Sequence, residues 1–211
     1  TVVNGQVTIA ESSQNGQTLD QKSVKKSIEN VLLARMKKTI SKNIDLSNVT
    51  LKVDQKVPEV SDSTIATLGV IELVGTGITN FAGSSDNRIR NIQLGASAIN
   101  GTLLKPGEEF STLKKIGKID ASTGYLPELV IKDNQTVADY GGGLCQVSTT
   151  LFRAALNAGL KITERQNHSY RVSYYEPPVG MDATIFDPSP DFKFVNNYGR
   201  YILIQSRIEG K

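Results

Sequence analysis

The segment best suited to covalent chemistry is Tyr140-Gly141-Gly142-Gly143-Leu144-Cys145-Gln146, three glycines and a cysteine where an apolar helical pattern begins. Glycine admits positive φ and lets a ligand approach the backbone closely. Amide hydrogens at a helix N-terminus can receive a developing oxyanion. The positive end of the helix dipole favours thiolate over thiol, which makes sulfur a better nucleophile. On this reading Cys145 attacks a carbonyl, and Gly142, Gly143, Leu144 and Gln146 form the loop around the oxyanion. The alternative is a packed, inert Cys145 after a plain turn, the usual state of a lone cysteine.

His168 is the only histidine and lies in Arg165-Gln166-Asn167-His168-Ser169-Tyr170, just beyond the helix that Cys145 opens. An imidazole in reach of the sulfur takes the thiol proton and later protonates a leaving amine. Otherwise it is a structural histidine bonded to a backbone carbonyl. A third group would orient the ring, and Asp182 and Asn167 are the candidates. Asp182 is preferred, because adjacent residues on a strand turn to opposite faces. Arg88 and Arg90 flank a helix start, and a guanidinium fork binds a substrate carboxylate well; the alternative is surface charge near a helix end. Arg165 is a second candidate for that carboxylate, and Asn167 and Ser169 flank His168 as further substrate contacts. Asp187, Asp191 and Glu128 lack metal-site spacing and read as loop residues. Tyr170, Tyr174 and Tyr175 read as packing on a sheet.

These residues sit in a chain of 211 residues, enough for one medium domain or one domain and a smaller companion. With 38% apolar and 21% charged residues the composition is that of a globular chain, not a disordered one. No run approaches the roughly 18 apolar residues of a membrane helix, and no basic segment leads into an apolar core at the start, so no signal peptide is expected within the chain. The opening Thr1-Val2-Val3-Asn4-Gly5-Gln6-Val7-Thr8-Ile9 already reads as structured, which predicts a fragment lacking its targeting segment and upstream residues. A single cysteine and a single histidine exclude an internal disulfide, a redox CxxC pair and zinc sites built from Cys and His alone. Neither GxxxxGK[ST] nor GxGxxG occurs, so nucleotide binding through those loops has no support. The net charge is +3, and the excess of basic residues lies in 1–57. Most of them (Lys22, Lys25, Lys26, Arg35, Lys37, Lys38) fall on one helix between apolar positions, which reads as a solvated face and not a nucleic-acid site.

The elements that must position the site read as an α+β fold with a mixed, mainly antiparallel sheet and a few helices. A small β-α-β unit comes first: a strand at 6–9, a turn at 14–16, a helix over 20–40 capped by Asp20, and a strand at 48–53. Residues 54–63 read as a linker. Strands are expected at 64–75, 109–111, 160–165, 169–175, 182–186 and 200–207. A hairpin is expected from 128–132 and 135–138 around Asp133-Asn134. Helices are expected from Asp86, as cap, to Asn100, and from Cys145 to Ala158.

Residues from about 70 to 207 resemble the VanW family. The resemblance rests on Asn87-Arg88-Ile89-Arg90-Asn91-Ile92, Ile99-Asn100-Gly101, Lys105-Pro106-Gly107-Glu108-Glu109-Phe110-Ser111 and Gly141-Gly142-Gly143-Leu144-Cys145-Gln146-Val147-Ser148-Thr149-Thr150-Leu151-Phe152. It continues through Glu164-Arg165-Gln166-Asn167-His168-Ser169, Asp182-Ala183-Thr184 and Asp191-Phe192-Lys193-Phe194-Val195-Asn196-Asn197. Residues 1–57 resemble the tail of the peptidoglycan-binding domain that often precedes a VanW domain. The implied division is 1–57, a linker at 58–69 and a VanW domain at 70–211.

Some members of the family are linked to L,D-transpeptidation of peptidoglycan, with the motif cysteine as nucleophile. The resemblance therefore implies a cysteine L,D-transpeptidase that joins third-position residues of stem peptides through a thioester on Cys145. It implies no cofactor or metal, peptidoglycan stem peptides as partners, and a place outside a Gram-positive cell, with any membrane contact made by an upstream anchor. Two rivals stand beside it: a wall carboxypeptidase or endopeptidase using the same residues, and a non-catalytic wall-binding module.

Overall fold

A computed structural model of the protein describes residues 2–3, 6–7, 12–36, 51–58, 61–62, 64, 67–132 and 135–210. Its elements are β1 (Val2–Val3), β2 (Gln6–Val7), β3 (Gly16–Leu19), α1 (Gln21–Met36), β4 (Val53–Lys56), α2 (Asp86–Ile99), β5 (Thr102–Leu104), β6 (Glu109–Ser111), α3 (Thr112–Ile116), β7 (Pro127–Lys132), β8 (Gln135–Tyr140), α4 (Leu144–Asn157), β9 (Lys161–Glu164), β10 (Lys193–Val195) and β11 (Ile202–Ile204). The class is α+β with small antiparallel sheets. The chain divides into two compact units, Ile9–Thr67 and Thr1–Thr8 with Leu68–Lys211.

In the smaller unit β3 and β4 pair antiparallel, Gly16 opposite Lys56 and Leu19 opposite Val53. The Asp20 carboxylate accepts from the Ser23 amide at 3.0 Å, the N-cap contact that meets an orphan donor of the first turn. Of the expected strand at 48–53 only Val53 is seen in a strand, β4, which runs on to Lys56 in what was expected to be linker; residues 8–9, 37–40 and 48–50 of the expected elements lie outside the described residues.

In the larger unit β10 is the centre of a three-stranded sheet, with β6 on one side and β9 on the other. β11 pairs with β5, and β7 with β8, Lys132 opposite Gln135. Alternation within these short strands aims Leu104, Phe110, Phe194, Ile202 and Ile204 into one core. Phe110 stacks on Phe194 with centroids 5.1 Å apart, and Phe152 of α4 meets Phe192 edge-on at 5.7 Å. Leu144, Val147, Leu151, Phe152 and Ala155 form the buried stripe of α4, recurring at helical spacing. Helix α2 packs against α4, where Gly95 leaves room for Leu144 and Val147.

Several expectations are corrected. The α2 cap is Ser85, whose hydroxyl accepts from the Arg88 amide at 3.2 Å; Asp86 is the first helical residue. The described part of 64–75 is no strand. From Gly69 the chain runs on through 80 without regular structure, and α4 meets its backbone. Asn157 donates to the Thr76 carbonyl at 2.7 Å, Arg153 to that of Ile78 at 3.3 Å and Gln146 to that of Asn80 at 3.1 Å. Gly75 and Gly77 permit this approach, since a Cβ at either would press into the α4 backbone. Residues 169–175 and 182–186 form no strands either: Ser173–Tyr175 is a 3-10 turn, and 182–186 is extended without a strand partner.

Asp191, read from sequence as a loop residue, is a buried structural carboxylate. It accepts from the amides of Leu113 at 3.0 Å and Phe192 at 2.7 Å, and from the Ser111 hydroxyl at 2.6 Å. Removing it leaves those donors unmet at the junction of α3, β6 and β10, at about 2–4 kcal/mol. Urea unfolding of Asp191→Ala should show that loss; a midpoint equal to wild type would contradict this role.

Candidate functional site

Each of the three buried glycines before α4 answers a contact. Gly143, the N-cap, has φ +112°, and its Cα faces Arg88 and Ile92 so closely that a Cβ would lie 3.1 Å from both. At Gly142 a Cβ would lie 2.8 Å from the carbonyl oxygen of Leu129. The Gly142 carbonyl accepts from the Asn91 side chain at 3.0 Å, while Asn91 also bonds both the carbonyl and the amide of Leu126. The loop is thereby pinned between α2 and β7, and Cys145 emerges in the first turn of α4, half-buried.

Segment 182–185 is fastened along the same helix. The Ser148 hydroxyl donates to the Ala183 carbonyl at 2.5 Å, and Thr149 Oγ1 accepts from the Ala183 amide at 3.0 Å. This places Thr184 Oγ1 3.5 Å and the Ile185 carbonyl 3.6 Å from Cys145 Sγ. It also presents Asp182, whose Oδ2 accepts from the His168 amide at 2.9 Å and from His168 Nδ1 at 2.5 Å. His168 and Asp182 are both buried. With Nδ1 held by the carboxylate, Nε2 is the ring nitrogen left for the sulfur.

The three groups titrate as a set. Burial works against charge on Cys145, but hydrogen bonding and charge from His168, with smaller help from Thr184 and Ile185, outweigh it, so the thiol lies below its ordinary value. Burial also opposes an imidazolium at His168, yet Cys145 and then Asp182 raise it above the ordinary value. Asp182 is lowered: burial opposes its charge, and the His168 amide, the ring and Arg165 overcome that. Each shift favours the charged form, thiolate at Cys145, imidazolium at His168 and carboxylate at Asp182. The depressed carboxyl of Asp182 stabilises the fold above its ordinary range, and that contribution is lost as pH falls through its lowered value.

The remaining sequence candidates are distributed unevenly. Arg88 sits 5.3 Å over the Tyr174 ring and donates to the Tyr174 hydroxyl at 3.4 Å and to Gln146 Oε1 at 3.5 Å. Arg165 is engaged internally. It donates to the carbonyls of Asp182 at 2.7 Å and Gly180 at 2.5 Å, lies 3.5 Å from Asp182 Oδ1 and stacks 4.9 Å over Phe152. It therefore braces Asp182. Asn167 is exposed, donates to the His168 carbonyl at 2.9 Å and makes no contact with the ring; Ser169 is exposed too. The amides of Leu144 and Gln146, expected to face an oxyanion, instead donate to the carbonyls of Gly141 at 3.0 Å and Gly143 at 2.9 Å.

Sequence reading missed Thr184, Ser148, Thr149 and Tyr175. Hydroxyls three and four residues beyond Cys145, one helical turn on, were the available signal for the middle pair. Tyr175, expected on a sheet, lies with its ring 5.6 Å from that of His168. Among the described residues no group of three or more His, Cys, Asp or Glu side chains could hold a metal, and no helix is long and apolar enough to cross a membrane.

The lowered thiol carries a pH signature. Iodoacetamide should alkylate Cys145 with an apparent pKa below the ordinary cysteine value of about 8.5. In His168→Ala the apparent pKa should move up, because the group that favours the thiolate is gone. Alkylation with an ordinary profile in both proteins would contradict the coupling.

A family model described as VanW like protein matches residues 87–211. The uncharacterized protein YoaR of Bacillus subtilis (strain 168) is 37% identical over 153 residues, 72% of this chain and 50% of that protein. The vancomycin B-type resistance protein VanW of Enterococcus faecalis (strain ATCC 700802 / V583) is 34% identical over 116 residues, 53% of this chain and 42% of its own. The chain thus spans about half the length of the curated relatives it matches, or less. No solved structure matches it. The match over residues 87–211, which contains Cys145, His168 and Asp182, makes the chain a member of the VanW family.

Proposed function

We propose that the chain is a cysteine L,D-transpeptidase that cross-links third-position residues of peptidoglycan stem peptides. The observation that carries this reading is the buried His168–Asp182 pair, 2.5 Å apart, together with Cys145 at the start of α4, whose thiol His168 draws below its ordinary value. Its order of thiol, imidazole and carboxylate is the one nucleophilic acyl transfer needs. Support for the substrate comes from the family resemblance and from the relative named as a vancomycin-resistance protein. The reading places the enzyme outside the cell, at the wall, carried there by parts of a longer protein, with residues 1–57 as the tail of a wall-binding domain.

In the proposed cycle the Cys145 thiolate attacks the carbonyl carbon at the L-centre of the third residue of a donor tetrapeptide. A C–S bond forms and the carbonyl π pair moves to oxygen. As the intermediate collapses, the C–N bond to D-alanine breaks and the amine takes a proton from the His168 imidazolium. The product is a thioester with neutral His168. The side-chain amine of an acceptor stem then attacks, gives a proton to His168 and displaces the thiolate, which restores the starting ion pair. Arg88 is the candidate partner for the terminal carboxylate of the leaving D-alanine. Chemistry of this kind requires no metal.

Incubation with purified tetrapeptide muropeptides should yield dimers joined between third residues, with a transient adduct on Cys145 visible by mass spectrometry. Cys145→Ala should form neither, and Asp182→Asn should be slowed by about 10²–10⁴-fold through loss of the ring's orientation. Dimers formed by Cys145→Ala would defeat the mechanism. D-alanine release without dimers would assign a hydrolase, and no turnover with an unreactive thiol would assign a wall-binding module.

A further inference from the structure

Tyr175 is buried, 3% exposed, and its hydroxyl makes no hydrogen bond within the described residues. Tyr174 bears on its titration without completing a hydrogen bond. An unmet buried hydroxyl is destabilising, so proteins seldom keep one without a use. Its position is imposed from several sides. The ring tilts against His168 at 5.6 Å and meets Tyr174 edge-on at 4.6 Å. Its main-chain carbonyl accepts from Arg153, which also donates to the Met181 carbonyl at 2.9 Å. Arg153 lies on α4, the helix that carries Cys145, so nucleophile and phenol are referenced to one rigid element.

A second observation gives this hydroxyl a task. Acyl transfer needs donors aimed at the oxygen that becomes negative, and two of the four loop residues expected to supply them, Leu144 and Gln146, already donate their amides to Gly141 and Gly143. Building on the acyl-transfer reading above, we propose that the Tyr175 hydroxyl donates a hydrogen bond to the carbonyl oxygen of the peptide bond that Cys145 attacks and so forms the side-chain part of the oxyanion site. When the C–S bond forms, the π pair moves onto that oxygen and the phenol proton stays on Tyr175 as donor. When the C–N bond breaks, the pair returns and the proton lost to the amine comes from His168. Burial, reinforced by the negative charge of Cys145, holds the phenol well above its ordinary range, so it stays protonated throughout. The substrate carbonyl completes the hydrogen bond that the free protein lacks, which makes the interaction specific to the bound and reacting states.

Tyr175→Phe keeps the ring and removes the hydroxyl. The test measures three quantities on wild type and variant: acylation of Cys145 by a carbapenem and by a stem tetrapeptide, iodoacetamide alkylation against pH, and the melting temperature. Alkylation displaces iodide at saturated carbon and forms no oxyanion. The expected result is acylation slowed by about 10²–10³-fold, an unchanged alkylation profile, and a melting temperature equal to or above wild type. Acylation at the wild-type rate would overturn the assignment alone. A shifted alkylation profile would also overturn it, by showing that the hydroxyl acts through the thiolate, and a large fall in melting temperature would show a structural role instead. If the wild type is alkylated but acylated by neither probe, the acyl-transfer reading itself fails and the Tyr175 assignment falls with it.

Discussion

The site depends on one carboxylate oxygen. Oδ2 of Asp182 accepts from both the amide and the Nδ1 of His168, which fixes the ring's place along the chain and its tautomer together. A buried carboxylate is costly when unpaired. Here the second oxygen lies 3.5 Å from Arg165, whose guanidinium also grips the main-chain carbonyls of Asp182 and Gly180. With the carboxylate satisfied on both sides, the imidazole can hold positive charge in a buried setting. That charge in turn lets the neighbouring sulfur exist as an anion.

Helix α4 organises everything around this pair. Its first turn offers Cys145, and its next residues, Ser148 and Thr149, grip Ala183 between Asp182 and Thr184. Further along, Thr150 meets Thr79, while Arg153 reaches both the Tyr175 and Met181 carbonyls. One face of the helix is buried in the phenylalanine core, and the opposing polar positions fasten loops that have no strand partners of their own. A rigid helix holding irregular segments by side-chain hydrogen bonds is a way to place catalytic groups more accurately than loops alone allow.

Much of this was legible in the residues, and the failures are instructive. Gly141-Gly142-Gly143-Leu144-Cys145 announced a helix start because glycine spacing and helical apolar periodicity are local signals. The α+β class and the hairpin of β7 and β8 followed from the same kind of signal. The strands expected at 64–75, 169–175 and 182–186 were misread because β-branched and aromatic residues favour extended backbone whether or not a partner strand exists. For the last two, α4 side chains take hydrogen bonds that a neighbouring strand would have taken, Arg153 at Tyr175 and Ser148 and Thr149 at Ala183. The same error hid Tyr175, whose assignment to a sheet face followed from the false strand. The charge of Arg165 is visible in sequence, whereas its internal carbonyl partners are distant in sequence and visible only in three dimensions. Asp191 was hidden for that reason too, since two of its donors, Leu113 of α3 and Ser111 of β6, lie far from it in sequence.

The central claim is that Cys145 and His168 share charge as a coupled pair, and the chain's single histidine makes that directly measurable. An NMR titration of the His168 imidazole in wild type and in Cys145→Ser needs no assignment among competing rings. The account predicts a midpoint above the ordinary histidine value in wild type, falling when the sulfur is replaced, because the partner anion is lost. An ordinary midpoint that is indifferent to the substitution would contradict it.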